Sequence, residues 1–297
     1  MPRSYEEIED EIIKSGKGLS SFKRMIGDML KQKRHVRLLV ISIIVTAVTS
    51  TVAYYAIGLV ADQITRRNLE LLIVYALLFL SMYIIQFFSN RVRTTTSTFL
   101  SQNTIKNIRN EAFASIQRVP ISFFSKVKTG YLISRISNDG ESLSEFLTFQ
   151  LPSVLSGIAT LVISAAFMLY LAPSLALYSF IVIPVLAAFT FSIQPRVRKN
   201  YLRTRRAIAR ITGNLAENIG AIRAIKSFNI EEKVADKFRE LNRENYEANI
   251  KASRLSSIYS GIIRVIEALG IGIVLYEGGL QTVHGIISVG ILVSFVF

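Results

Sequence analysis

The sequence contains no cysteine and only two histidines, His35 and His284. The first absence excludes disulfides, thiol chemistry and any cysteine-built metal site. The second leaves almost no imidazole for acid–base work. No HExxH, GxSxG or phosphate-loop pattern occurs. Gly16-Lys17 fails as a phosphate loop because the position five residues before Gly16 is Glu11, where the motif needs glycine. The first residues are acidic and polar, unlike a cleavable signal peptide. A potassium-type filter is missing. Arg196–Arg210 lies beyond the apolar run and lacks the regular spacing of a voltage sensor. By itself the chain is therefore expected to catalyse no covalent chemistry and to hold no metal.

Charge is also missing, over long runs. The 297 residues have a mean hydropathy of +0.39, high for a soluble domain of this size. A helix needs roughly 20 apolar residues to cross a bilayer core. Spans are predicted at about 38–61, 71–90, 146–171, 174–195 and 255–276, with 285–297 as the start of a sixth; Ala172-Pro173-Ser174 divides the third from the fourth.

The net charge of +14 is unevenly placed. The connections between spans 1 and 2, 3 and 4, and 5 and 6 are nearly neutral, with Asp62, Arg66, Arg67 and Glu70 cancelling in the first. The basic excess lies before Leu38, in 91–139 and in 196–254. That positive-inside pattern places the N-terminus and both long segments in the cytoplasm of a multi-pass cell-membrane protein, with the lipid bilayer rather than nucleic acid as partner. Residues 1–18 read as an acidic cytoplasmic leader. Residues 19–37 read as an amphipathic helix lying on the membrane surface or packed on the chain itself. His35 reads as an interface residue rather than a ligand.

Helical periodicity continues past the spans. Ile105, Ile108, Ala112, Ile116 and Val119 recur at spacings of three and four, as do Ile208, Ile211, Leu215, Ile219 and Ile222. A helix over 91–119 would project roughly 42 Å beyond the membrane, with Pro120 as its breaker. The fold class is thus all-α: a polytopic membrane helical bundle with two long cytoplasmic helical hairpins, about 91–145 and 196–254, each ending in a tip. Apolar side chains expected to be exposed at those tips, Phe123, Phe124, Tyr131, Ile225 and Phe228, mark contact surfaces. Phe123, Phe124 and Tyr131 would supply contact at the first, where Gly130 permits a turn and Asn138 or Asp139 caps the following helix. Arg264 and Glu267 stand three apart in an apolar run, and either line a transport cavity or neutralise each other at a helix contact. Tyr54, Tyr55, Tyr83, Gln86 and Tyr170 could line a cavity, anchor at interfaces or pack between helices.

Phe123-Phe124, Thr129-Gly130-Tyr131-Leu132, Ser134-Arg135 and Asn138-Asp139 resemble the first intracellular loop of type I exporters of the ATP-binding cassette (ABC) class. Glu217-Asn218-Ile219, Ala224-Ile225-Lys226-Ser227-Phe228 and Glu231-Glu232 resemble the second, and Gly290 stands where their sixth helix starts. The resemblance covers 19–297, with 38–297 as the transmembrane domain. It implies a homo- or heterodimer of transmembrane subunits whose fourth and fifth helices cross into the partner. It implies coupling tips docked on nucleotide-binding domains that bind ATP and Mg²⁺, and export of amphipathic compounds, lipids or peptides by an ATP-hydrolysing translocase. Family members continue into a nucleotide-binding domain carrying phosphate-binding motifs. No such domain is present here, so the expectation is truncation or completion by another polypeptide. A non-transporting membrane scaffold or regulatory subunit on the same fold is the alternative.

Overall fold

The computed structural model describes residues 17–124 and 129–297; within these, nothing is stated of the side chains of 17–21, 122, 123, 129, 131 and 135. All regular elements among the described residues are helical. They form two compact units, Met1–Ala172 with Ser288–Phe295, and Pro173–Ile287.

In the first unit, α1 (Lys17–Leu30) precedes two long helices, α2 (Lys33–Arg66) and α3 (Leu69–Gln117). The amphipathic segment is shorter than 19–37, because the chain breaks at Lys31-Gln32 and residues from Lys33 join α2. Met25 and Met29 of α1 are buried in a cluster with Leu39, Ile43, Leu100 and Leu147. Its apolar face thus packs on the chain itself, supported by Phe22 edge-on to Phe146 and by an Arg24–Glu111 ion pair of 2.7 Å. His35 stacks on Phe99 at 4.2 Å, an interface role.

α2 buries small and hydroxyl residues (Ser42, Thr46, Ala47, Thr51, Ala53, Ala56, Gly58) while Ile41, Ile44 and Val48 face outward. This inside-out pattern suits a helix among lipids, where hydrocarbon solvates large side chains and small ones allow close approach. Thr46 meets Ser89 of α3 at 3.0 Å, and Ser89 Oγ donates to the Ser42 carbonyl. α2 ends at Arg67, a left-handed residue at φ 55°, where the Asn68 amide reaches back to Gln63 O. Asn68 then caps α3 by accepting from the Leu71 amide at 3.2 Å. Two residues therefore suffice to reverse the chain.

α3 continues past its apolar part to Gln117 without interruption and ends just before Pro120. The return leg is α4 (Ile121–Phe124), α5 (Thr129–Ser134), a π-helical turn (Arg135–Asp139), α6 (Gly140–Glu145), a second π-helical turn (Phe146–Gln150) and α7 (Leu151–Leu171). In a π turn the ladder widens from i−4 to i−5, leaving a carbonyl in need of another donor. Ser97 of α3 supplies one: its hydroxyl lies 3.1 Å from Leu147 O and 2.9 Å from Thr148 O. Ser101 donates to Ser144 O one turn below.

The second unit is a helical hairpin. α8 (Pro173–Phe180) is followed by α9 (Val182–Gly220), α10 (Ile222–Ser227) and the 53-residue α11 (Glu231–Val283). The break at Ile181 follows from Pro184, which has no N–H to offer the Phe180 carbonyl. Pro195 stands inside α9 without ending it. Gly270 of α11 sits against Val182, and Tyr259 stacks on Phe189. Five helical stretches, Lys33–Arg66, Leu69–Gln117, Leu132–Leu171, Pro173–Gly220 and Glu231–Val283, are long and apolar enough to cross a membrane.

The last helix, α12 (Val289–Val296), belongs to the first unit over most of its length. Ser288 caps it, and Asp62 of α2 accepts from both the Ser288 hydroxyl at 2.7 Å and the Gly290 amide at 2.6 Å. A carboxylate at a helix N-terminus meets unsatisfied amides and the positive end of the dipole. Asp62, read from sequence as a charge in a connection, therefore holds the start of α12.

Candidate functional site

The second tip is fully described. α9 stops at Gly220; Ala221 turns the chain into α10; Phe228 and Asn229 lead to α11. Asn229 is left-handed at φ 50°. Its amide bonds Lys226 O, and the Ile230 amide reaches Ile225 O at 3.2 Å. This pair of bonds forms a Schellman turn, with asparagine at the position that tolerates left-handed backbone. Lys226 donates to Glu231 at 2.9 Å across the turn. That bond and the Glu231 backbone amide hold the Glu231 carboxyl below the usual range.

The result is a short rigid helix set across the end of two long ones. Its side chains divide sharply. Ile225, expected to be exposed, is instead buried at 7% exposure and anchors α10, whereas Phe228 is 76% exposed. Ile219 and Ile222 are exposed beside it, as are Glu217 and Ala224. An exposed phenylalanine on a locked turn presents apolar surface without the entropic cost of ordering a loop.

Of the first tip the structure describes less. The side chains of Phe123, Thr129, Tyr131 and Arg135 lie outside the described residues, as do residues 125–128 entirely. Ile121 and Ile133 are exposed, and Phe124 is partly so. Gly130 is helical, within α5, rather than at a turn, and a Cβ there meets nothing within 4 Å. Residues 129–171 run helically without a gap, so Asp139 has ordinary helical backbone and makes no capping bond. The capping role expected of Asn138 or Asp139 has no helix start to act on. Asn138 instead donates to Ser134 Oγ at 3.2 Å. A close approach that sequence reading missed involves Gly140, which is buried, with the Arg109 guanidinium 3.2 Å from where its Cβ would stand. That fixes the return leg against α3.

The residues proposed for a cavity have separate surroundings. Tyr55 meets Phe167 edge-on at 5.3 Å, and Tyr83 leans on Phe79 of its own helix at 4.8 Å. Tyr54 and Tyr170 are exposed and Gln86 is half-buried. Arg264 and Glu267 are both exposed on α11. Among the described residues no ion pair joins them. Glu267 falls on the stripe of Gly270, Val274 and Gly278, three, seven and eleven residues before them, but ahead of the part of that stripe that is buried; Arg264 lies to one side of it.

The family model for the ABC transporter transmembrane region matches residues 36–297. Among curated proteins, the ABC transporter ATP-binding protein YfiC of Bacillus subtilis is 28% identical over 276 residues, 93% of this chain and 46% of its own length. The ATP-dependent lipid A-core flippase of Syntrophus aciditrophicus is 25% identical over 86% of this chain and 43% of its own. The putative multidrug export ATP-binding/permease protein YgaD of Bacillus subtilis is 26% identical over 80% and 40%. The chain thus spans less than half the length of these relatives. Five apolar spans, two helical hairpins and a match over nearly the whole chain agree: it belongs to the ABC transporter transmembrane region family, in the type I exporter form.

Proposed function

We propose that the chain is the membrane-spanning domain of an ATP-driven exporter of lipids or other amphipathic compounds. It sits in the cell membrane with the N-terminus and both hairpin tips cytoplasmic, and works as a homo- or heterodimer of transmembrane subunits. The names of the relatives, a lipid flippase and a multidrug export protein, support this substrate class. The basic charge concentrated in 196–254 supports the orientation.

The observation that carries the proposal is the second tip: a locked short helix with Phe228 outward, at the end of two helices about 40 Å long outside the membrane. Stiff helices of that length transmit a rigid-body displacement that a loop would absorb. The sequence carries no phosphate-loop motif, since Gly16-Lys17 lacks the required glycine. ATP and Mg²⁺ would be bound by separate nucleotide-binding domains, whose hydrolysis supplies the driving free energy. The chain's own part is to receive their motion at Phe228, Ile222 and Phe124 and pass it along α9, α11 and α3.

The test is Phe228→Asp in the complete transporter, reconstituted in proteoliposomes. Membrane insertion and basal ATP hydrolysis should persist, with transport reduced on the order of tenfold, as expected when a buried apolar anchor is lost from an interface. Transport at the unmodified rate would refute docking through this tip.

A further inference from the structure

Seven basic residues fall between Arg196 and Arg210, and no acidic residue occurs from Phe146 to Ala216. They follow directly on the charge-free run that ends at Pro195. α9 is helical throughout, so their places around it are determined. Asn200, Thr204, Ala207 and Ile211 recur at spacings of three and four and are shielded, Ala207 fully, on the side of α11. Arg198, Lys199, Leu202 and Arg206 fall on the opposite side. With Pro195 and Arg203 they line a hollow of about 610 Å³.

Among the described residues the charges in that hollow are not neutralised. Arg210 pairs with Glu244 at 3.0 Å, Arg205 lies over the Tyr201 ring at 5.0 Å, and Arg196 donates to Ser192 O. On α11 opposite, Glu247 is taken by Arg243. Arg198, Lys199, Arg203 and Arg206 have no ion pair among the described residues. Four like charges along about 12 Å of helix repel one another, and an anion in their midst relieves that repulsion.

Height along the helix selects the kind of anion. Arg198 and Lys199 stand about 5 Å beyond Pro195, within the headgroup layer of a bilayer. Leu202 adds an apolar contact that a free inorganic anion does not need. Clusters of four to eight basic residues immediately past a span attract anionic lipid, at roughly 1 kcal/mol per residue. We propose that the hollow on α9 binds the phosphate of an anionic phospholipid, with Arg198, Lys199, Arg203 and Arg206 around the headgroup, Leu202 against its outer part and Pro195 toward its glycerol. That the leaflet is the cytoplasmic one rests on the orientation proposed above; the binding does not.

The test is native mass spectrometry of the full chain in detergent, titrated with phosphatidylglycerol. The wild type should retain the lipid. The variant R198Q/R206Q should bind it on the order of tenfold more weakly, while R223Q/K233Q, with the same charge removed elsewhere, should bind as the wild type does. Both pairs are exposed, and the single exposed change K199Q provides a milder version with a smaller loss in the same direction. Unchanged binding in R198Q/R206Q, an equal loss in R223Q/K233Q, equal retention of phosphatidylcholine, or displacement by an equal concentration of inorganic phosphate would each overturn the proposal. The last outcome would mark a free-anion site instead. No ATP or transport enters the measurement, so its failure leaves the export reading standing, and the converse also holds.

Discussion

The two compact units are held by different means. In the first, 44% of the apolar stretch of α2 is buried, whereas none of that of α3 or of the return leg through α7 is, and Gly58 and Gly290 approach so closely that a Cβ on either would overlap the other's carbonyl oxygen. In the second, the stretches of α8–α9 and α11 are 6% and 11% buried, and Ala207 is the one fully buried residue of α9 among those described. Hydropathy does not set α2 apart, since all five stretches are comparably apolar. Small and hydroxyl side chains do, because they let helices approach and bond. α2 gives the first unit an interior. The other spans, in both units, present apolar faces for lipid or another subunit to cover.

The sharpest way to break this comparison is a matched pair of glycine substitutions. A Cβ on Gly290 would stand 2.2 Å from the Gly58 carbonyl oxygen and 2.5 Å from Asp62, and backbone cannot step aside. Gly290→Ala should therefore cost about 3 kcal/mol or more, read as a large fall in Tm. On Gly270 the nearest atom is a methyl of Val182, at 2.6 Å. Gly270→Ala should cost about 1 kcal/mol, because a side chain yields more readily than backbone. Equal losses would remove the distinction.

Next in size is Ser97→Ala. It strips the Leu147 and Thr148 carbonyls of their outside donor in a buried site, at about 1–3 kcal/mol. Hydrogen exchange should speed up over 144–151. The corresponding change in the second unit, Thr212→Ala, removes an exposed hydroxyl bonded to its own helix, and exchange there should not change. A smaller effect belongs to Arg210→Gln, which opens the solvent-exposed bridge to Glu244; a loss under about 1 kcal/mol is expected in a denaturation series.

The smallest effect is pH-dependent. Glu231 titrates below the ordinary 4.5 because of Lys226, then its own amide. A lowered carboxyl pKa contributes stability that is fully present above 4.5 and is lost as pH falls through the lowered value. Amide exchange at 225–231 should therefore be flat from neutral pH to about 5 and rise, after correction for intrinsic rates, only below about 4.

Much of this was legible in the residues. Runs without charge placed the spans, and period-3.6 stripes carried the helices beyond them, because burial and solvation act directly on side-chain type. The first tip was less legible. Gly130 and Asp139 carry turn and cap chemistry, yet both are helical here, since π turns absorb the irregularity without ending the helix. Asp62 was misread because its partners, Ser288 and Gly290, are more than two hundred residues away and no local pattern announces them. Asn229 had a local signal, an asparagine just past a helical stripe, that could have revealed its left-handed turn.

The central claim, that the second tip is a docking surface, is tested most directly by labelling. The chain has no cysteine, so Phe228→Cys introduces one thiol at a 76% exposed position. The measurement is its rate of reaction with a water-soluble maleimide in the chain alone and in the complete transporter. The account predicts fast labelling in the chain alone and labelling slowed on the order of tenfold or more when nucleotide-binding domains are present, as for a desolvated interface centre. Equal rates in the two would contradict it.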